Sequence, residues 1–317
     1  MSKKFRALLL TGIVALGVIG CSKKESAENN DKFKVALILS QGGVNDQSFN
    51  QSAWEGALKA KEEYGVEVSY LESKSESDFT SNIETAIDQD NDLIVGIGFQ
   101  VGDSIMEASQ MYPEQKFATV DSTFEVMPEN LRAITFNEEE AGYLTGLVAS
   151  QMTKTNKVGF IGGVDIPSCS NFGVGFKKAM KEVNPESEVL IQFTNSFTDS
   201  AKAKVVAKQM EKEGVDIIFT ACGGGNTGVI ETARESKDVK IIGVDMPMSY
   251  IAPEYIITSA LKNVGEGLKL TIKDTLDGKF NGGNEVKYDL SNNGVGYEKT
   301  NLLPNEVIEF VESKINK

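Results

Sequence analysis

The sequence contains no histidine. Ser-His and Cys-His nucleophile pairs are therefore excluded, and so is every imidazole metal ligand. Cysteine occurs only at 21, 169 and 222, so no disulfide framework organises the chain. Basic residues are outnumbered, 32 against 46 acidic, giving a formal net charge of −14. Such a chain does not neutralise a phosphate backbone, and no nucleic-acid partner is expected. Outside the first twenty residues, no run approaches the roughly 18 apolar residues of a membrane-spanning helix. No Walker loop is present. No carboxylate pair is marked as an acid/base couple, and metal-binding patterns are missing. The expectation is a protein that is not an enzyme and carries no cofactor or metal. What is present is ordinary: 40% hydrophobic and 25% charged residues over 317 positions, enough for two globular domains.

The amino terminus reads as an address. Lys3, Lys4 and Arg6 precede about thirteen small and apolar residues, the proportions of a secretion signal rather than a permanent span. The run ends in Val18-Ile19-Gly20-Cys21, which resembles a bacterial lipobox whose cysteine becomes lipidated; an ordinary signal peptide with a chance cysteine is the plainer alternative. Residues 1–20 are thus expected to be a lipoprotein signal and 21–31 a flexible tether. Cys21 would anchor the body to the extracytoplasmic face of the cell membrane.

From residue 32 onward, short apolar runs alternate with longer amphipathic stretches. The runs lie at 35–39, 93–97, 117–120, 158–161, 217–219 and 241–244; the stretches include 50–63, 102–111, 172–183 and 227–236. Nearly continuous apolar runs mark parallel strands covered on both faces, and their alternation with helices predicts a doubly wound α/β fold. The pattern also repeats. Residues 91–94 match 215–218, and 116–121 match 240–245, both at an offset of 124. Residues 34–35 match 157–158, and 134–135 match 257–258, at 123. Two similar lobes follow, with lobe 1 expected at 32–126 plus 256–283 and lobe 2 at 131–253 plus 286–317. Ligands of open parallel sheets sit beyond the carboxyl ends of the strands, here in the cleft between lobes.

The strand ends carry the candidates. In the loop after the first run, Asp46 or Ser48 can cap the next helix, but capping leaves Phe49 unexplained. Asp121 and Asp245 end equivalent runs in the two halves; each is a plausible turn residue alone, and together they suit a ligand with hydrogen-bond donors at both ends. Lys262 is either a solvated lysine or a donor to a ligand hydroxyl. Phe172 and Phe197 can each supply a ring opposite Phe49, whereas Phe176, Phe193 and Trp54 read as packing. The glycines at 223–225 provide either a tight turn or close approach to a neutral ligand. Glu138, Glu139 and Glu140 read as a helix start favoured by its dipole. Cys169 and Cys222 read as lone, inert thiols.

These residues also form a recognisable set. Asn45-Asp46-Gln47-Ser48-Phe49-Asn50 with Ala53-Trp54-Glu55-Gly56 resembles the opening signature of the basic membrane protein family, the lipoproteins related to the purine nucleoside receptor PnrA. Further marks are Phe160-Ile161-Gly162-Gly163, Phe172 to Phe176, Ser196-Phe197-Thr198-Asp199, Cys222-Gly223-Gly224-Gly225-Asn226-Thr227-Gly228-Val229 and Gly243-Val244-Asp245. The resemblance implies a type I periplasmic-binding-protein fold and a monomeric, lipid-anchored receptor. Its partners would be the permease and ATPase subunits of an ABC transporter, and its ligand a purine nucleoside such as adenosine, guanosine or inosine. It implies a base held between Phe49 and Phe197, with Phe172 as a further lining ring. Asp121 would read the base edge, and Asp245 and Lys262 would bind the ribose. Asp46, Asn50 and Gly224 would complete the polar shell. The chain departs from the family at Gln47, often lysine, and in the unusually polar Pro167-Ser168-Cys169-Ser170-Asn171. A sugar-binding receptor of the same fold is the alternative, with a nucleoside hydrolase-type enzyme or a surface adhesin behind it.

Overall fold

The structure, a computed structural model, describes residues 32–315; the expected signal, Cys21 and the tether lie outside the described residues. In the first half, β1 (Lys34–Leu39), α1 (Phe49–Tyr64), β2 (Glu67–Glu72), α2 (Ser77–Asp88), β3 (Leu93–Ile97), α3 (Phe99–Met111), β4 (Lys116–Val120) and β5 (Leu131–Phe136) alternate as expected. After α4 (Glu138–Met152), the second half repeats them as β6 (Lys157–Gly162), α5 (Pro167–Val183), β7 (Glu188–Phe193), α6 (Ser200–Lys212), β8 (Ile217–Ala221), α7 (Asn226–Ser236), β9 (Lys240–Asp245) and β10 (Ile256–Lys262). The chain closes with α8 (Val264–Leu276), β11 (Glu285–Tyr288), β12 (Val295–Tyr297) and α9 (Asn305–Ile315). Among the described residues no helix is long and apolar enough to cross a membrane.

The strands form two six-stranded sheets with the same order, β11-β5-β4-β3-β1-β2 and β12-β10-β9-β8-β6-β7. All neighbours are parallel except β12, which runs antiparallel to β10. The central strands read as apolar runs because helices cover both faces: Val35 to Leu39 and Leu93 to Ile97 are wholly buried. Helices approach closely where glycine removes a side chain. A Cβ on Gly56 of α1 would lie 2.2 Å from the Gly265 backbone of α8, and one on Gly175 of α5 would lie 1.9 Å from Glu139 O of α4. These contacts hold α8 to the first lobe and α4 to the second.

Strand pairing moves the expected lobe boundaries. β5 pairs with β4, so 131–136 belong to the first sheet rather than the second. β10 pairs with β9, so 256–262 belong to the second sheet, and β11 pairs with β5, so 286–288 belong to the first. The chain completes one more hydrogen-bonded strand before each crossing than the sequence spacing implied. The crossings fall at Asn137, Asn263 and 289–294, where Asn137 N–H donates to Tyr288 O and Asn263 N–H to Gly294 O. Register also corrects the last repeat match. Arg132 pairs with Ala118 and Thr258 with Ile242, so 132 corresponds to 258, an offset of 126 rather than 123. A β-bulge in β10 between Ile256 and Thr258 supplies part of the difference.

Candidate functional site

The cleft between the sheets encloses about 640 Å³ of space free of atoms, part of it continuous with solvent. Asp46, Phe49, Asn50 and Asp121 line it from the first lobe, and Phe172, Phe197, Asp245 and Lys262 from the second. The structure therefore brings eight of the nine expected ligand residues to one cavity. The ninth, Gly224, is replaced in the wall by its neighbour Gly223. The reason lies in packing: Gly223, at φ +56°, sits so close that a Cβ would lie 2.9 Å from Phe197 O. The glycine turn thus supports the segment carrying Phe197.

The first-lobe wall is built from the start of α1. Asp46 accepts backbone N–H bonds from Ser48 (2.9 Å), Asn50 (2.9 Å) and Gln51 (3.1 Å), satisfying helix-end donors that would otherwise lack partners. Its burial raises its carboxyl above the ordinary value, and these bonds oppose the shift. Asp46, not Ser48, does the capping. The Ser48 hydroxyl instead donates to Asp245 Oδ2, bridging the lobes. Asn50 is held beneath by Ser40, whose hydroxyl donates to Asn50 Oδ1 at 3.1 Å. This scaffold leaves Phe49 half-buried at the cavity wall.

Asp121 directly follows β4 and Asp245 ends the equivalent β9; both share a rare backbone conformation, at φ +64° and +66°. Asp121 Oδ2 accepts from Lys262 Nζ at 2.6 Å, while its Oδ1 is buried without a hydrogen-bond partner. Lys262 also pairs with Glu138 Oε1 at 2.8 Å and is itself only 1% exposed. Its ammonium lies 5.3 Å from the Phe49 and Phe136 ring centres and 5.9 Å from that of Phe172, favourable cation–π distances. Burial alone would lower the lysine pKa, but the fields of Asp121, Glu138 and Asp245 outweigh it and hold Lys262 above its ordinary value. One cation cannot offset three buried carboxylates. Burial, reinforced by Glu138 and Asp245 and opposed by Lys262, raises Asp121 to about 7. Burial likewise raises Asp245 to about 6 against Lys262 and the Ser48 bond. The excess negative charge is thus relieved on the acids, while the lysine stays protonated.

The two second-lobe rings differ. Phe172 is buried and packs edge-on against Phe219 at 5.9 Å. Phe197 is half-buried, tilted against Phe99 at 6.2 Å, and available to the cleft. Phe176 is fully buried, and Trp54 stacks edge-on against Tyr70. Cys169 and Cys222 are buried free thiols, both pushed up to about 12 by burial; Cys169 lines the cavity and donates to Ala221 O.

Sequence reasoning missed Glu138, Phe136, Phe99, Ser40 and Gln100. In sequence Glu138 resembles a dipole-favoured helix start; in the structure it is a buried partner of Lys262. The corrected offset carries the missing signal: at 126, Phe136-Asn137 aligns with Lys262-Asn263, so both chain crossings at the cleft become visible.

Comparison with known proteins agrees with this architecture. A family model described as ABC transporter substrate-binding protein PnrA-like matches residues 33–317. The chain is 36% identical to a Listeria innocua protein named CD4+ T-cell-stimulating antigen, over 98% of this chain and 95% of the relative. It is 35% identical to the ABC transporter nucleoside-binding protein BmpA of Lactococcus lactis, over 93% and 91%. Among solved structures, an ABC transporter solute-binding protein from Aeropyrum pernix superposes with a TM-score of 0.79 at 28% identity, covering 90% of this chain and 86% of that one. The two parallel-sheet lobes thus form a type I periplasmic-binding-protein fold. The chain belongs to the PnrA-like family of ABC transporter substrate-binding proteins.

Proposed function

We propose that this substrate-binding protein captures purine nucleosides, such as adenosine, guanosine and inosine, for uptake, and that it does so as a monomer anchored outside the cytoplasm through lipidated Cys21. The observation that carries the reading is the composition of the cavity: accessible rings Phe49 and Phe197 on opposite lobes, and beside them buried acids with one lysine. A planar base between two rings gains roughly 1–3 kcal/mol of stacking and tolerates different bases. Selectivity then rests on edge bonds. Asp121 Oδ1, buried and unpartnered, calls for a ligand N–H or O–H. In this reading Asp121 receives the base edge, and Asp245 and Lys262 receive the ribose hydroxyls. Asn50 and Gly223 complete the shell, and Asp46 holds Phe49 in place. The acid-rich wall disfavours phosphorylated ligands.

A melting screen tests this reading. At 100 times its dissociation constant a nucleoside adds about 2.7 kcal/mol of stability. Inosine, guanosine or adenosine should raise the melting temperature, and free pentoses and hexoses should not. Stabilisation by a free sugar with no response to nucleosides would favour the sugar receptor instead. Release of hypoxanthine from inosine would favour an enzyme.

A further inference from the structure

Lys262 has two close carboxylate partners, and they belong to different lobes. Asp121 follows β4 of the first sheet, at 2.6 Å. Glu138, at 2.8 Å, opens α4, the helix that packs against α5 and β10 of the second lobe. Lys262 itself ends β10. Its rings divide in the same way: Phe172 lies on α5, while Phe49 and Phe136 belong to the first lobe. Separation of the lobes about the crossings at 137 and 263 would take Asp121 away from the ammonium and leave Glu138 beside it. Glu138 does not line the cavity, and its Oε1 faces the lysine.

We propose that Glu138 is the positioning residue of the site: it holds the Lys262 ammonium in the second lobe independently of closure, so that Asp121 joins as the lobes meet and keeps one oxygen for the ligand. The inference depends on the nucleoside reading only for the choice of inosine as a probe. Lys262 is faced by Asp121 after β4, Glu138 on α4 and Asp245 on β9, and Asp46 before α1 acts on Asp245 in turn. Glu138 is one of the fields that raise both Asp121 and Asp245.

The test has two arms. In ligand-free protein labelled with 15N-lysine, a slowly exchanging Lys262 ammonium signal should persist in Asp121→Asn and vanish in Glu138→Gln. The reverse pattern, or persistence in folded Glu138→Gln, overturns the proposal. Calorimetric titration of inosine from pH 5 to 8 is the second arm. Glu138→Gln should bind roughly tenfold more weakly or worse at pH 8. Its loss of affinity on acidification should begin at lower pH than in wild type, because a field raising both acids has gone. An equal loss at every pH, with the acid limb unmoved, would reduce Glu138 to packing and overturn the proposal. If Glu138→Gln does not fold, Glu138→Asp decides. It retains the charge at shorter reach, so weaker binding with the wild-type acid limb supports the proposal, and wild-type affinity overturns it. Wild-type protein that ignores inosine refutes the nucleoside reading, while the lysine signal still decides the role of Glu138.

Discussion

The two lobes share strand order, helix alternation and an aspartate in left-handed conformation at the end of the fourth strand, yet they differ one strand later. The first lobe ends its fifth strand in Phe136, and the second ends its own in Lys262. Both then cross at asparagine. Repetition supplies the scaffold, because each lobe must bury the same kind of sheet. The break in repetition supplies the chemistry: an apolar ring on one side faces a cation on the other, 5.3 Å away. The cation of the cleft is therefore a property of one lobe, balanced by acids drawn from both.

Erasing that asymmetry should have the largest effect. Lys262→Met gives both lobes an apolar side chain at this position and leaves Asp121, Glu138 and Asp245 without their cation. Breaking a buried pair from one side costs about 3–5 kcal/mol. Urea unfolding at pH 7.5 should show a loss of that order, smaller at acid pH where the carboxyls protonate. Stability unchanged at pH 7.5 would mean that the cluster is not electrostatically coupled.

The rings sharpen the comparison at a smaller scale. Phe49→Ala and Phe197→Ala, one from each lobe, should each weaken inosine binding by about 1–3 kcal/mol in calorimetry. Both residues are half-buried, so unfolding stability should change less than in Phe172→Ala, whose ring is part of the core. Loss of binding in Phe172→Ala with no effect in Phe197→Ala would reassign the second ring.

The gentlest probe is the pH dependence of the matched aspartates. Asp121 is raised from 3.8 to about 7 in the folded protein, so the native state holds more protons than the unfolded state between those values. Its contribution to stability is full below about pH 4 and is lost as pH rises to about 7. Asp245, raised to about 6, acts in the same direction over a narrower window. Thermal melts of ligand-free Asp121→Asn should show a flatter decline between pH 4 and 7 than wild type. A steeper one would reverse the sign.

Much of this architecture is legible in the sequence. Continuous apolar runs alternating with amphipathic stretches point to strands buried on both faces, and paired Asp121 and Asp245 point to a two-sided cleft. The edge strands β2 and β7 escape: both are partly exposed, β2 mixes polar with apolar residues, and β7 holds only the short run Val189-Leu190-Ile191 between polar neighbours. The lobe boundaries failed for a different reason. Apolar matching cannot see which strand donates to which, and the bulge in β10 hid the true alignment. Glu138 was obscured by its neighbours: three successive glutamates look alike in sequence, while only the first is buried against Lys262. Ser48 and Asp46 illustrate the same limit, since either can cap a helix and only geometry shows that Ser48 reaches the other lobe.

The central claim is that the cleft recognises base and pentose together. Calorimetric titration of the wild-type protein with inosine, hypoxanthine and D-ribose tests it most directly. Inosine should bind with saturable, one-to-one stoichiometry, hypoxanthine more weakly and ribose not measurably. Tight binding of ribose, with inosine giving no heat, would contradict the account.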